Sequence, residues 1–349
     1  MLSAPSPRPF RVPRWRLTSC CGEGARRPAT HAAAAATGAP GGPDSGPAAP
    51  AASRQYPPPA AAVSPVQGLI DLHVHCAPDI FGRALDDVDA ARIARDRGME
   101  AFVIKGHTLV TADRAWLLGR HVNGVKAYGG VALNGAVGGV NPEAVEWMAR
   151  VQGGLGRVVW FPTFDADHHV RHFRNGPGGI RVLDGSGAVL PEVRSVLAAC
   201  ARHRLVVATG HLSPAESLAV LRAAREEGCD RLSVTHAMLE VPGLSLDEMR
   251  EAASLGAKLE LAAVGLLMGP GAHLPWMREW RRIEAREAAG AIRAIGAGHF
   301  HLSTDLGQAG NPNPADGYAL LVEGLVAEGI TRDEIRVMGR EVPGALLLG

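Results

Sequence analysis

The chain has few cysteines, no excess of charge of either sign and no long apolar run. The 349 residues include only five cysteines, which are scattered along the chain. They are too few for a small secreted domain stabilised by disulfide bonds and indicate a reducing compartment. The chain has 36 Lys and Arg residues and 35 Asp and Glu residues. It therefore lacks the excess of positive charge that is typical of proteins that bind nucleic acid or an anionic membrane. No segment approaches the roughly 20 apolar residues that span a bilayer, and the N-terminus lacks the apolar core of a secretory signal. We expect a cytoplasmic protein acting on small molecules, with no nucleic-acid or membrane partner.

The first 65 residues differ in composition from the rest of the chain. They are mainly Ala, Pro, Gly and Arg, in runs such as HAAAAATGAPGGPDSGPAAPAAS, and offer too little apolar surface to offset the entropy lost on ordering. We expect a disordered extension over residues 1–65 and one folded domain over residues 66–349. The 46% hydrophobic composition allows that domain a single large core.

From Val66 onward, short β-branched runs alternate with helical patterns, which is typical of repeated βα units. Capping boxes mark two helix starts, at Ser213 with Glu216 and at Ser245 with Glu248. Eight strands are predicted, at 69–75, 101–107, 125–133, 157–164, 205–211, 231–237, 258–264 and 299–305. Their spacing of about 33 residues fits a barrel of about 250 residues, whereas an open doubly wound sheet rarely has eight regularly spaced units. We predict an α/β protein with a (β/α)8 TIM-barrel fold.

Ionisable residues fall at the ends of five predicted strands. A His-x-His pair opens the set, and its two side chains share one face of the first strand. Because the carboxyl ends of barrel strands surround one pocket, we expect the whole set to converge. Imidazole and carboxylate without thiolate favour a catalytic Zn²⁺ site, with Mn²⁺, Fe²⁺ or Co²⁺ as alternatives. The set is His73, His75, Lys105, His107, His211, His236 and Asp305.

This combination resembles the amidohydrolase superfamily of metal-dependent hydrolases over about residues 66–349. DLHVH (His73, His75) is similar to its strand-one motif, ATGH (His211) and VTHA (His236) to its histidines on strands five and six, and HLSTDLG (Asp305) to its strand-eight aspartate. The C-terminal MGREVPGALLLG resembles the helix that closes many such barrels. The resemblance implies one metal ion on His73, His75 and Asp305, with His211 and His236 holding a second ion or sharing the first.

The resemblance also implies the chemistry. The metal would acidify a water molecule and polarise the bond under attack. Asp305 would carry the water proton to the leaving group, and His236, if it is not a ligand, would stabilise the developing oxyanion. The expected reaction is hydrolysis of an amide, lactone or phosphoester bond.

Strand four departs from the pattern of the binuclear members. They carry a carboxylated lysine or a glutamate there, whereas this chain has Thr163. Lys105 on strand two is the proposed substitute, because burial favours a neutral amine that can take up CO₂ as a carbamate. Without CO₂, Lys105 could pair with an anionic substrate, form an imine with a carbonyl or extend to the rim. One or two metal ions both fit the sequence.

Substrate contacts are expected from residues beyond the strand ends. We expect Arg83, His107 and Arg174 to contribute, since arginines clamp carboxylate or phosphate groups. The segment after strand four is predicted as a loop that covers the pocket. Its polar residues are Asp165, His168, His169, His172 and Arg174. Homo-oligomerisation, common among soluble enzymes, is left open.

Three other functions fit parts of the pattern. A metal-dependent decarboxylase or lyase uses similar barrels and would release CO₂. A histidinol-phosphatase-like phosphoesterase shares the DLHVH opening but tends to end in Asp-x-His, which STDLGQ lacks. A metal-binding sensor without catalysis would not need Asp305 as a base.

Overall fold

The computed structural model describes residues 64–174, 176 and 178–349, and its eight strands form one parallel sheet in chain order. Residues 1–63, nearly all of the extension predicted to be disordered, lie outside the described residues. Each observed strand falls within a predicted one or begins one residue before it. The strands are β1 (Ile70–Val74), β2 (Ala101–Ile104), β3 (Lys126–Ala132), β4 (Gly156–Trp160), β5 (Val206–Ala208), β6 (Leu232–Val234), β7 (Lys258–Ala262) and β8 (Phe300–Ser303).

The sheet closes on itself between β8 and β1. The N–H of Asp305 donates to the carbonyl of His73 at 2.8 Å, and the N–H of His75 donates to the carbonyl of Leu306 at 2.8 Å. These bonds join the two edges of the sheet. The predicted (β/α)8 barrel is therefore confirmed.

Helices separate the strands and cover the barrel. Both predicted capping boxes are present, at the starts of α6 and α7. The helices are α1 (Asp87–Asp96), α2 (Ala112–Leu118), α3 (Pro142–Ala149), α4 (Asp167–Arg174), α5 (Pro191–His203), α6 (Pro214–Glu226), α7 (Leu246–Ser254), α8 (Ala285–Ile295), α9 (Pro314–Ala327), α10 (Arg332–Arg336) and α11 (Val342–Leu348). In the part of the chain that the structure describes, no helix is long and apolar enough to cross a membrane.

The prediction of a loop after strand four is wrong from Asp167 onward. The segment forms α4, in which Asp167 lies in the first turn and pairs with Arg171 four residues on, at 2.6 Å. A carboxylate near a helix N-terminus and an i,i+4 ion pair both stabilise a short helix. The histidines of this segment are therefore presented from a helix.

Apolar side chains pack on both sides of the barrel wall. On β4, Val158 and Trp160 belong to a cluster inside the barrel, whereas Val159 packs with the helices outside. The inner cluster includes Val342 and Leu346 of α11, so the C-terminal helix plugs the amino end of the barrel as predicted. The carboxyl end is left for polar side chains.

Candidate metal centre

A β-bulge in β1 turns both histidines of the His-x-His pair into the barrel. Asp71 pairs with Phe102 but Val74 pairs with Ile104, so β1 holds one extra residue over this stretch. Before the bulge Leu72 packs inside, and after it Val74 packs outside. A bulge that shifts the alternation of side chains in this way re-aims the residues beside it. His73 and His75 consequently point inward.

His73, His75 and Asp305 lie together at the carboxyl end of the barrel. Each residue offers one ligand atom, and these atoms all lie within 4.8 Å of one another. Oδ1 of Asp305 is 3.0 Å from Nε2 of His73 and 3.0 Å from Nε2 of His75. Both histidines are buried, whereas 16% of the Asp305 side chain is exposed.

The hydrogen bonds of the two imidazoles leave both Nε2 atoms facing the carboxylate. Nδ1 of His73 donates to Oε1 of Glu260 at 2.9 Å, and Nδ1 of His75 donates to the carbonyl of Lys105 at 2.9 Å. With these protons placed on Nδ1, three acceptor atoms meet at Asp305, and a cation among them would relieve their mutual repulsion, in addition to Nζ of Lys105, which lies 2.9 Å from Nε2 of His73. The donor set fits a divalent metal ion held by two imidazoles and one carboxylate.

Burial and neighbouring charges favour the metal-binding forms of His75 and Asp305, whereas His73 gains affinity for a proton while no cation is bound. Burial holds the pKa of His75 well below its ordinary value, helped by Arg83. Burial opposes ionisation of Asp305, but His73 and His75 keep its pKa well below the usual range. For His73 burial acts against protonation, yet Asp305 and Glu260 raise its pKa. Asp305 is therefore a carboxylate throughout the neutral range.

The predicted histidines of strands five and six lie beside this group. His211 and His236 are buried, with ring centroids 4.9 Å apart, and the ring of His236 stacks 6.2 Å from that of His73. Nδ1 of His236 is buried without a hydrogen-bond partner among the described residues, which is the state of a ligand atom. Burial lowers the pKa of His236 to about 4 and that of His211 well below normal. Both imidazoles are neutral and available to a cation.

Backbone geometry at two of these positions is unusual. His236 has φ of 30° and Asp305 has φ of 51°, in the left-handed region where a non-glycine residue costs about 1–3 kcal/mol. Gly307 also approaches His75 so closely that a Cβ atom would lie 1.7 Å from the His75 carbonyl oxygen. The chain reversal after β8 is thus fixed tightly against β1.

Lys105 reaches the centre of the site. Its side chain is 1% exposed, and Nζ lies 2.9 Å from Nε2 of His73. Burial lowers the pKa of Lys105 to about 8, against the opposing pull of Asp305 and Glu260. A lysine confined here does not extend to the rim, so that interpretation is wrong.

The three predicted substrate contacts differ in their surroundings. Arg83 is almost fully buried, and Nη2 pairs with Oδ2 of Asp79 at 2.7 Å. His107 stacks on His75 at 4.8 Å, and its Nδ1 lies 3.0 Å from Oγ1 of Thr163. The side chain of Arg174 lies outside the described residues.

Two residues of the site were missed by the sequence reasoning. Glu260 on β7 is 3% exposed and contacts His73 as described. It is a charged residue inside the apolar run KLELAAV, and that contrast was the available signal. His169 of α4 was noted only as a loop residue, but its Nδ1 lies 2.9 Å from Nδ1 of His211, so one nitrogen donates to the other.

Several solved structures are similar to this barrel in fold. An amidohydrolase from Pseudomonas aeruginosa matches 82% of this chain and 97% of its own, with a TM-score of 0.55 and 12% identity. The organophosphorus hydrolase from Deinococcus radiodurans matches 81% and 93%, with a TM-score of 0.50 and 15% identity. A variant of the PTE-like lactonase from Deinococcus radiodurans matches 82% and 98%, with a TM-score of 0.51 and 15% identity. The chain thus shares the eight-stranded barrel fold of these three proteins.

The sequence places the chain within a particular family. Residues 68–260, more than half of the chain, match the family of unknown function DUF6282, and the protein belongs to that family. The matched region runs from just before β1 to Glu260 in β7. No curated protein matches the sequence.

Proposed function

We propose that this protein is a metal-dependent hydrolase of small molecules. The observation that carries the proposal is the convergence of Nε2 of His73, Nε2 of His75 and Oδ1 of Asp305, with Nδ1 of each ring within hydrogen-bond distance of an oxygen on the opposite side. The shared barrel fold, with its site at the carboxyl ends of the strands, supports it. The proteins similar in fold include an amidohydrolase, an organophosphorus hydrolase and a lactonase.

Each residue then has a role. His73, His75 and Asp305 would hold the first ion, most suitably Zn²⁺, with Mn²⁺, Fe²⁺ and Co²⁺ as alternatives. A bound divalent ion acidifies water and withdraws electrons from a carbonyl or phosphoryl oxygen. Asp305, whose side chain is partly exposed beside the buried histidines, accepts the proton of the attacking water and returns it to the leaving group. The bond cleaved is an amide, lactone or phosphoester.

Lys105 supports a second ion in this proposal. Its amine is neutral in part at neutral pH and lies at the metal centre, and its charge also lowers the pKa of both His211 and His236. The amine can attack CO₂ and lose a proton to give a carbamate, which would add a charged oxygen ligand beside His73, and His211 and His236 would help to hold a second ion. This arrangement supplies from β2 the group that β4 lacks at Thr163.

Metal analysis combined with one substitution tests the hydrolase. The wild-type chain should contain a stoichiometric divalent metal and hydrolyse some member of a panel of esters, lactones, amides and phosphoesters. Asp305→Asn should lower that turnover about 10²- to 10⁴-fold. Asp96→Asn is the control, because that carboxylate is exposed at the end of α1 and pairs with Arg95 at 2.8 Å, away from the carboxyl end of the barrel.

Each outcome has a defined meaning. Equal turnover by wild type and Asp305→Asn would refute the hydrolase, and a chain that purifies without metal and ignores chelators would refute the metal site. Release of CO₂ from an aromatic acid, without hydrolysis, would favour a decarboxylase. A cytoplasmic location, a small-molecule substrate and the absence of nucleic-acid and membrane partners remain part of the proposal.

A further inference from the structure

We infer that Glu260 is a positioning residue that fixes two metal-binding histidines at once, one through each carboxylate oxygen. The inference rests on the proposed function, because it concerns how the metal centre is held. Oε1 of Glu260 accepts from Nδ1 of His73 at 2.9 Å, and Oε2 accepts from the backbone N–H of His236 at 2.7 Å. The carboxylate thereby joins β7 to the ends of β1 and β6.

The contact with His73 sets which ring nitrogen faces the metal. A carboxylate accepts but cannot donate, so the proton of His73 must reside on Nδ1. Nε2 then presents its lone pair toward Asp305, 3.0 Å away. A carboxylate behind a metal-bound imidazole fixes the tautomer and the ring orientation and makes the ligand more basic.

The contact with His236 acts through the backbone. His236 follows β6 with φ of 30°, in the left-handed region, and its N–H points to Glu260 rather than into a regular sheet ladder. The next N–H, of Ala237, donates to the carbonyl of Glu260 at 3.0 Å. The side chain and the main chain of Glu260 therefore both hold the turn that presents the ring of His236.

The Glu260 carboxylate is buried at a cost that its contacts with the two histidines explain. The side chain is 3% exposed, and its ion-pair partner is His73. Its neighbour across the sheet is His301 of β8, whose Nε2 lies 2.9 Å from Oγ of Ser233. Among the described residues Lys105 attracts Glu260 only at longer range, without a direct ion pair. A buried carboxylate without a direct arginine or lysine partner is costly to keep in a core that apolar side chains could fill. Holding the two histidines accounts for it.

The experiment compares metal binding by the full chain and two glutamine variants. Glu260→Gln preserves shape, but its amide presents an acceptor to only one of the two donors and an N–H group to the other. Glu240→Gln is the matched control, because Glu240 also pairs with a histidine, His172, at 3.1 Å but outside the metal group. Metal-free proteins are titrated with Co²⁺ against a competing chelator, and the visible absorption of bound Co²⁺ is recorded.

Glu260→Gln should bind Co²⁺ about 10- to 100-fold more weakly than wild type, with unchanged stoichiometry and an altered absorption spectrum. Glu240→Gln should match wild type in affinity and spectrum. Unchanged affinity and spectrum in Glu260→Gln would overturn the inference, and so would loss of an ion from its stoichiometry, which would make Glu260 a ligand. If wild type binds no Co²⁺ at all, the proposed function fails first.

A measurement on the wild type covers the case in which Glu260→Gln does not fold. In Zn²⁺-loaded protein with ¹⁵N-labelled histidine, His73 should carry its proton on Nδ1, with the resonance assigned by its loss in His73→Asn. A proton on Nε2 of His73 would overturn the inference without reference to any Glu260 variant.

Discussion

Nζ of Lys105 lies 2.9 Å from Nε2 of His73, the nitrogen that faces Asp305. An ammonium group at this distance would repel a metal ion, whereas a carbamate would attract one. Burial lowers the pKa of Lys105 to about 8, so a fraction of the amine is neutral and can react with CO₂ near neutral pH. The same short distance therefore makes Lys105 either a competitor of the metal or its ligand.

We predict that Lys105 is the ligand. Native mass spectrometry of the wild type should show the added mass of one CO₂, and Lys105→Met should lack it. Metal content should fall from two ions per chain in wild type to one in Lys105→Met, as measured by elemental analysis. If Lys105→Met instead binds metal more tightly than an unmodified wild type, Lys105 is a competing cation and the carbamate is wrong.

The barrel and the convergence of its polar residues could be predicted because both follow from local rules. Eight regularly spaced apolar runs define the strands, and a parallel barrel brings their carboxyl ends together wherever the loops lead. This placed His211 and His236 in one pocket although β5 and β6 have only three residues each. The roles of these residues stay predictions until metal is measured.

Features that depend on two distant segments could not be predicted. In a regular strand Leu72 and Val74 would share one face, but the bulge in β1 opposite β2 places Leu72 inside and Val74 outside. No residue of DLHVH specifies this bulge. Arg83 was expected to meet substrate, but its partner Asp79 lies four residues earlier in an irregular loop. Glu260 was detectable as a charge within an apolar strand, yet its two partners belong to β1 and the turn after β6.

His301 should make the stability of the metal-free protein depend on pH. Burial lowers its pKa to about 4, below the ordinary value near 6.5, so on acidification the unfolded chain binds this proton before the folded chain does. The contribution of neutral His301 to the free energy of unfolding is complete above pH 6.5. It is lost as the pH falls toward 4, which lowers the free energy of unfolding by up to about 3 kcal/mol. His301→Gln lacks this titration, so its free energy of unfolding should fall less steeply with pH.

Urea unfolding of both proteins in chelator, at several pH values from 7 to 4.5, measures the difference. Parallel curves for wild type and His301→Gln would mean that His301 titrates normally. The comparison removes the contributions of His236 and the other buried histidines, which are common to both proteins.

The ion pair between Arg83 and Asp79 should stabilise the loop between β1 and α1. Both side chains are almost fully buried, and Nε and Nη2 of Arg83 contact Oδ2 of Asp79 at 2.9 and 2.7 Å. Removing either partner leaves a buried charge, so Arg83→Ala and Asp79→Ala should each cost about 3–5 kcal/mol in the free energy of unfolding. The double variant should cost clearly less than the sum.

A urea-unfolding double-mutant cycle measures this coupling, and additive losses would contradict it. Michaelis constants for anionic and neutral substrates then examine the predicted substrate role of Arg83. If Arg83 clamps an anion, Arg83→Ala raises KM for anionic substrates while Asp79→Ala, which frees the guanidinium, does not.

Phe164 should favour substrates with a planar ring. It follows β4 and lies in the middle of a group of rings, with centroids 4.3 Å from His107, 5.6 Å from His211 and 5.5 Å from Phe81. Phe81 is 43% exposed, so this group extends from the metal centre to the surface. Offset and edge-to-face ring contacts contribute about 0.5–1.5 kcal/mol beyond burial.

Phe164→Leu keeps apolar volume but removes the ring, and it should lower kcat/KM for an aryl ester by about 2- to 10-fold relative to an alkyl ester with the same leaving group. Trp147→Leu is the control, because Trp147 is an aromatic residue, 66% exposed, on helix α3 outside the barrel. Equal losses for aryl and alkyl esters in Phe164→Leu would show that Phe164 contributes to packing and not to substrate choice.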